Sequence, residues 1–346
     1  MFPRHAIAGL MVVFGMGCHA PGARAPAAAS SPPSVRGIAL PGAPAAGGVL
    51  MDYIAYDRAH DRVWVPAGDT GSVDVLEVKS LKVTRIEGFP TTEVERRGRK
   101  RTVGPSSATV GEGLVYVGNR GDSSVCAIDA ASLHKRDCLR LDSMPDGLAY
   151  VAPTHEVWVT TPRNQSIVIL KAQPGGLTAQ GKITFEGDPE GFAVDASRGR
   201  FYTNLEDKDR TLAIDIRSRK VVATWLPSCG EDGPKGLALD HDYDFLFVAC
   251  PDHVIALDAG HDGKLLSSIT TGPGLDNIDY VAPRHELYAA AARAGKLTVA
   301  KVDAQGNLTP VAVVDTAPGA RNAVATDEGT AFVTDSPEGK LLVVTH

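Results

Sequence analysis

Short runs of alternating apolar and polar residues recur along the chain from residue 35 to its end. One set occupies residues 147–151, 156–160, 166–170 and 181–185, with turn residues Pro153, Asn164 and the Gly175-Gly176 pair between the runs. Side chains on a strand alternate between two faces, so runs of this length and pattern predict β-strands. No part of this body has a comparable helical period, and helices are not expected there.

The four-run set then repeats. The residues just ahead of each first run are Asp52, Ser106, Asp146, Glu190, Lys235, Asp276 and Arg321. After a first gap of 54 residues they are 40 to 45 residues apart. Four strands per unit at this period predict an all-β fold, a seven-bladed β-propeller of four-stranded antiparallel blades. The long first gap marks an insertion at residues 89–104. The seventh unit supplies only three runs, at 322–326, 330–334 and 340–345. The run at 35–40 precedes the first unit and is expected to complete the last blade. That closure would tie both ends of the ring into one sheet and leave no open seam. Residues 35–346 are therefore expected to form one domain.

Several repeats carry a common motif. VYVGN at 115–119 is followed by RGD at 120–122 and VCAID at 125–129. FYTN at 201–204 is followed by LAID at 212–215, and AFVTD at 331–335 and FVAC at 247–250 with IALD at 255–258 are degenerate copies. These motifs resemble the YVTN/YncE-like seven-bladed propellers, many of them exported bacterial proteins. The resemblance implies the fold over residues 35–346. It is weak for function, because one fold carries many activities.

The first 34 residues read differently. Arg4 precedes an apolar stretch of 11 residues, Ala6 to Met16, which is too short to span a bilayer and suits a signal peptide. The small residues ahead of Cys18 resemble a bacterial lipoprotein processing site, so residues 1–17 are expected to be removed and Cys18 lipidated. The Ala/Pro-rich stretch that follows, through residue 34, reads as a tether. The expected location is exported, periplasmic or at the cell surface, with the membrane reached through the lipid anchor. Export fits the remaining cysteines. Cys126 and Cys138 flank an expected hairpin, and Cys229 and Cys250 share one repeat, so two disulfides can form in an oxidising compartment. Four buried free thiols are the alternative.

In a propeller the residues leading into the first strands ring one mouth of the central channel, and the ends of the second strands share that face. The channel-face set is thus Asp52, Ser106, Asn119, Asp146, Glu190, Asn204, Lys235, Asp276, Asn277 and Arg321. Two chemistries compete for it. Lys235 and Arg321 can neutralise Glu190 and Asp276 in a polar network that needs no cofactor. Alternatively, crowded carboxylates can hold a hard cation such as calcium. LDNI at 275–278 is similar to a ligand-bearing stretch of paraoxonase-like propellers, which makes Asp146, Glu190, Asp276 and Asn277 candidate metal ligands of a divalent-metal lactonase or esterase. Against an enzyme, no His falls in the ring. His60, His155 and His285 read as turn residues on the opposite face, and no phosphate loop, Gly-x-Ser-x-Gly elbow or Cys-x-x-Cys pair occurs.

Charge adds one more feature. The chain is mildly acidic, with 35 Lys and Arg against 41 Asp and Glu. Within the insertion, however, Arg96, Arg97, Arg99, Lys100 and Arg101 form a basic run expected at the channel face, where it could grip an anionic partner. The overall acidity and the lack of aromatics other than Phe89 beside this run argue against nucleic acid. The reading that results is a non-catalytic binding or interaction module of the bacterial envelope, its partner an envelope protein, polysaccharide or small molecule.

Overall fold

In the computed structural model, residues 1, 3, 32–44, 48–96 and 98–346 are described. The expected signal peptide, Cys18 and most of the tether lie outside them. Residues Pro32–His346 form one unit. It is a ring of seven antiparallel four-stranded sheets with almost no helix beyond short 3-10 turns.

Blade 1 is built from Ala55–Asp57, Arg62–Ala67, Ser72–Glu77 and Val83–Ile86. Blades 2 to 6 repeat this meander and begin at Pro105, Leu148, Pro189, Leu237 and Ile278. Blade 7 comprises Ala320–Ala325, Ala331–Asp335, Lys340–Thr345 and, as its outer strand, Ser34–Ala39. The closing strand runs antiparallel to the last, with Ser34 opposite Thr345 and Ala39 opposite Lys340. The closure expected from the three-strand seventh unit is present.

The core is not one mass but seven clusters, each between two neighbouring blades. Trp158 and Ile167 of blade 3 pack on Phe201 and Leu212 of blade 4, and Leu341 and Phe332 of blade 7 pack on Val63 and Val65 of blade 1. Period-two alternation explains this. Each middle strand is buried on both faces, so one set of side chains meets the blade before and the other the blade after.

The turns repeat as regularly. Between first and second strands the chain passes through a left-handed residue: Asp61, His155, Asp244 and His285 have φ of 55°, 51°, 66° and 49°. Short polar residues tolerate that conformation best. The expectation that His155 and His285 are turn residues holds, and His60 hydrogen-bonds the Asp57 carboxylate at 2.7 Å. The Asp that closes the third strand in blades 2, 4 and 5 is also turn chemistry. Asp129 Oδ1 accepts from the Ser132 amide at 2.9 Å, and Asp215 Oδ1 from the Ser218 amide at 2.8 Å.

The insertion between blades 1 and 2 is a β-hairpin, Thr92–Arg96 with Arg99–Val103. Cys126 is bonded to Cys138 across two strands of blade 2, and Cys229, on the connection from blade 4 to blade 5, to Cys250 just after the second strand of blade 5.

Candidate functional site

The seven residues ahead of the first strands all line a single cavity at one mouth of the channel, about 610 Å3 in volume. Several first strands begin with a bulge that leaves one residue out of the ladder: Ser106 in blade 2, Gly191 in blade 4 and Asn322 in blade 7. Bulges of this kind re-aim side chains at the rim of a sheet. Gly191 cannot be replaced without strain. Its φ is +63°, and a Cβ there would sit 2.2 Å from the Lys235 carbonyl oxygen.

Two residues that the sequence reading left out organise the cavity. Arg120 follows the second strand of blade 2. Its Nη2 donates to Asp52 Oδ2 at 2.9 Å and also to Asp146 Oδ1, so one guanidinium joins the carboxylates of two blades. Tyr53 crosses the axis from blade 1 to blade 4. Its hydroxyl donates to Glu190 Oε1 at 2.6 Å and accepts from the Gly191 amide at 3.3 Å, and its ring stacks on Phe192 at 5.6 Å. Tyr53 and Phe192 line a separate cavity, whereas Glu190, which the Tyr53 hydroxyl holds, lines the mouth, so the stack stands between the two.

The expected polar network is present with altered partners. Arg321 Nη1 pairs with Asp276 Oδ2 at 2.6 Å and its Nη2 lies 3.9 Å from Asp52 Oδ1. Lys235 does not reach Glu190; its Nζ pairs with Glu206 on the loop after the second strand of blade 4. Asn322 ties three blades together. Its Nδ2 donates to the Asp52 carbonyl at 3.0 Å and its Oδ1 accepts from the Asn277 amide at 3.0 Å.

Burial and these partners set the charges. The side chains of Asp52, Asp146 and Asp276 are only 18, 16 and 15% exposed. Burial opposes ionisation of Asp52, but Arg120 and Arg321 outweigh it and hold the carboxyl below its ordinary pKa. Burial dominates at Asp276, pushed up to about 6 despite Arg321. Glu190 is raised well above the usual carboxylate range by burial and by the neighbouring Asp146 and Asp276 charges. Asp146 is raised too, mainly by burial, and lies within hydrogen-bonding reach of Glu190. Both shifts favour a proton kept on the Asp146–Glu190 pair.

Three other expectations change. Asn119 and Asn204 do not face the cavity: both are fully buried. Asn119 Nδ2 donates to the Pro90 carbonyl and to Asp122, and its Oδ1 accepts from the Gly121 amide. Asn204 Nδ2 donates to the Lys235 carbonyl at 2.6 Å, and its Oδ1 accepts from Thr211. These side chains fasten loops rather than offer groups to a ligand. The proposed metal set is not assembled either. Among the described residues no three His, Cys, Asp or Glu side chains converge to hold a metal ion. Asn277 is not part of the cavity lining, and the Arg120 guanidinium occupies the place of a cation between Asp52 and Asp146.

Other parts of the site were anticipated more closely. The basic hairpin reaches the channel face, where Val94, Arg101 and Val103 join the lining. Arg163, from the loop after the second strand of blade 3, faces the same cavity. Ser106 lines it as well, is 4% exposed and has an Oγ without a hydrogen-bond partner.

No family model matches the sequence, and no curated protein sequence matches it. Solved structures do. A chain of a structure titled "Crystal Structure of Mitotic Checkpoint Complex" superposes with a TM-score of 0.71 at 14% identity, covering 97% of this chain and 99% of that one. Virginiamycin B lyase from Staphylococcus aureus gives 0.67 at 12% identity, covering 91% and 99%. A chain of Kuenenia stuttgartiensis hydrazine synthase gives 0.71 at 13%, covering 87% and 96%. At such identities and with such varied titles, these likenesses establish the seven-bladed propeller fold and nothing narrower.

Proposed function

We propose that the protein is a non-catalytic binding module that takes a small polar ligand in the cavity at the channel mouth. The observation that carries this reading is the convergence of seven separate blades on one charged cavity, with Tyr53 and Phe192 stacked behind Glu190. The ring offers donors and acceptors already fixed by their neighbours, which suits recognition without reorganisation. It lacks a histidine base or an assembled metal set among the described residues. The recurring YVTN-like motifs support placement with the exported YncE-like propellers. The signal-like N-terminal sequence supports an envelope location with a lipid on Cys18, and the two disulfides suit that oxidising compartment.

The test is a thermal-shift screen of small polar compounds against the wild type and Met144→Trp, which fills the cavity from its wall. Hits that stabilise the wild type and are lost in Met144→Trp, at unchanged melting temperature of the free protein, support the reading. Hits that persist unchanged in the variant place binding elsewhere and sink it.

A further inference from the structure

The cavity carries unlike charges at its two levels. At the floor, Asp52, Asp146, Glu190 and Asp276, with Glu206 beside them, face three cations, Arg120, Lys235 and Arg321. Each of those cations is already engaged by a carboxylate, whereas Glu190 is met only by the Tyr53 hydroxyl, the Asp146 carboxyl and its own proton. The floor therefore has acceptor capacity to spare. Ser106 Oγ, buried and unpartnered, adds a further polar group there.

The rim is weighted the other way, with two arginines against one carboxylate, Asp188. Arg101 on the hairpin and Arg163 on the blade 3 loop both line the cavity and are exposed. Among the described residues neither has a carboxylate within 4.0 Å. The hairpin register strengthens this side. Val94 lies opposite Arg101, so both fall on the hairpin face that also carries Val103. Apolar side chains of Met51, Met144 and Leu275 stand in the walls.

Resting on the binding reading above, we infer that the ligand is zwitterionic, with an ammonium group at the Asp146–Glu190 floor and a carboxylate or phosphate at the Arg101–Arg163 rim. An anion alone would meet surplus carboxylate at the floor, and a cation alone would leave the rim arginines unanswered. The ammonium takes the place of the proton kept on that pair: it donates to Glu190 and Asp146, Glu190 becomes a carboxylate, and the proton passes to solvent. Asp52 and Asp276 reinforce the ammonium, while Arg120, Arg321 and Lys235 stay with their own carboxylates.

The probes are ω-amino acids from glycine to 8-aminooctanoate, titrated calorimetrically into the full chain at pH 5.5 beside alkylamines and alkanoates of matching length. The expected result is at least one ω-amino acid that binds tenfold or more tighter than both of its half-molecules. Its enthalpy should vary with buffer in the sense of proton release. Glu190→Gln should abolish the release and reduce affinity to that of the alkanoate. The Arg101→Ala, Arg163→Ala double variant should reduce it to that of the alkylamine. The inference is overturned if no ω-amino acid exceeds both halves, or if one does so with no proton release and equally in Glu190→Gln. If the screen still yields hits that Met144→Trp abolishes, the cavity reading survives that failure; if none exist, both fall.

Discussion

The two ends of the channel are made by the same seven strands and could hardly differ more. The mouth above Tyr53 gathers six carboxyl groups and five cations around 610 Å3. The end below it is lined by Ile54, Val110, Leu148 and Phe192 together with one ion of each sign, Asp57 and Arg58, and a second hollow beside it by Ala149, Val194, Leu237 and Ile278 together with His241. Asp279 lies there, but its carboxylate is spoken for by the Ala325 amide at 2.8 Å and the Tyr280 amide at 2.9 Å. The reversal takes only a few residues of strand. Residues ahead of the strands need no particular size and can be charged. Residues two or three positions further on are small and buried, as Ala108, Ala149, Ala193 and Ala238 are. The contrast teaches that the ring supplies stability at one end by packing and specificity at the other by preorganised charge.

The hardest way to break that contrast is to remove the cation at its centre. Arg120→Ala leaves Asp52 and Asp146 facing each other with little solvent, and loss of one partner from a buried pair costs about 3–5 kcal/mol. Urea denaturation should show a loss of that order. Phe192→Ala removes half of the partition and should destabilise by about 2–3 kcal/mol, at or below the low end for a core Phe because the ring is only partly covered. A crystal structure of that variant should show the two ends joined. Tyr53→Phe deletes only the hydroxyl that bridges Glu190 and Gly191, and a melting curve should report about 1–2 kcal/mol.

The smallest expected effect is on pH dependence, and its sign is fixed by the direction of the shifts. Glu190 holds its proton in the folded chain to a higher pH than in the unfolded chain. Its contribution is therefore complete below the unfolded pKa and fades as pH rises through the folded one. Asp276 acts likewise between 3.8 and about 6. Asp52, whose pKa is lowered, contributes in the opposite sense, above its ordinary value. Stability of the wild type should fall as pH rises above the ordinary glutamate range. Glu190→Gln should flatten that fall, as followed by urea midpoints across pH 4.5 to 8. A wild type that gains stability over this range would remove the proton on the Asp146–Glu190 pair from the account.

Much of this was legible in the sequence because a repeat reports itself seven times. The strands, the ring positions Asp52, Ser106, Asp146, Glu190, Lys235, Asp276 and Arg321, and the closing outer strand follow from spacing alone. Partners did not, because distance across an axis has no local pattern. Tyr53 meets a residue 137 positions away, and Lys235 chose Glu206 on a neighbouring loop over Glu190. Arg120 stood in plain view directly after Asn119; its position at a second-strand end was the signal for it. Asn119 and Asn204 stand at such ends too, yet asparagine there binds backbone, the usual work of a short amide side chain at a turn.

The central claim is that ligands enter the highly charged mouth and not the opposite end. It is tested most directly by ligand-induced thermal stabilisation in two matched variants: Met144→Trp in the wall of the mouth, and Val194→Trp in the wall of the opposite hollow. The account predicts that stabilisation by any screened ligand disappears in Met144→Trp and is retained in Val194→Trp. Retention in the first and loss in the second would contradict it.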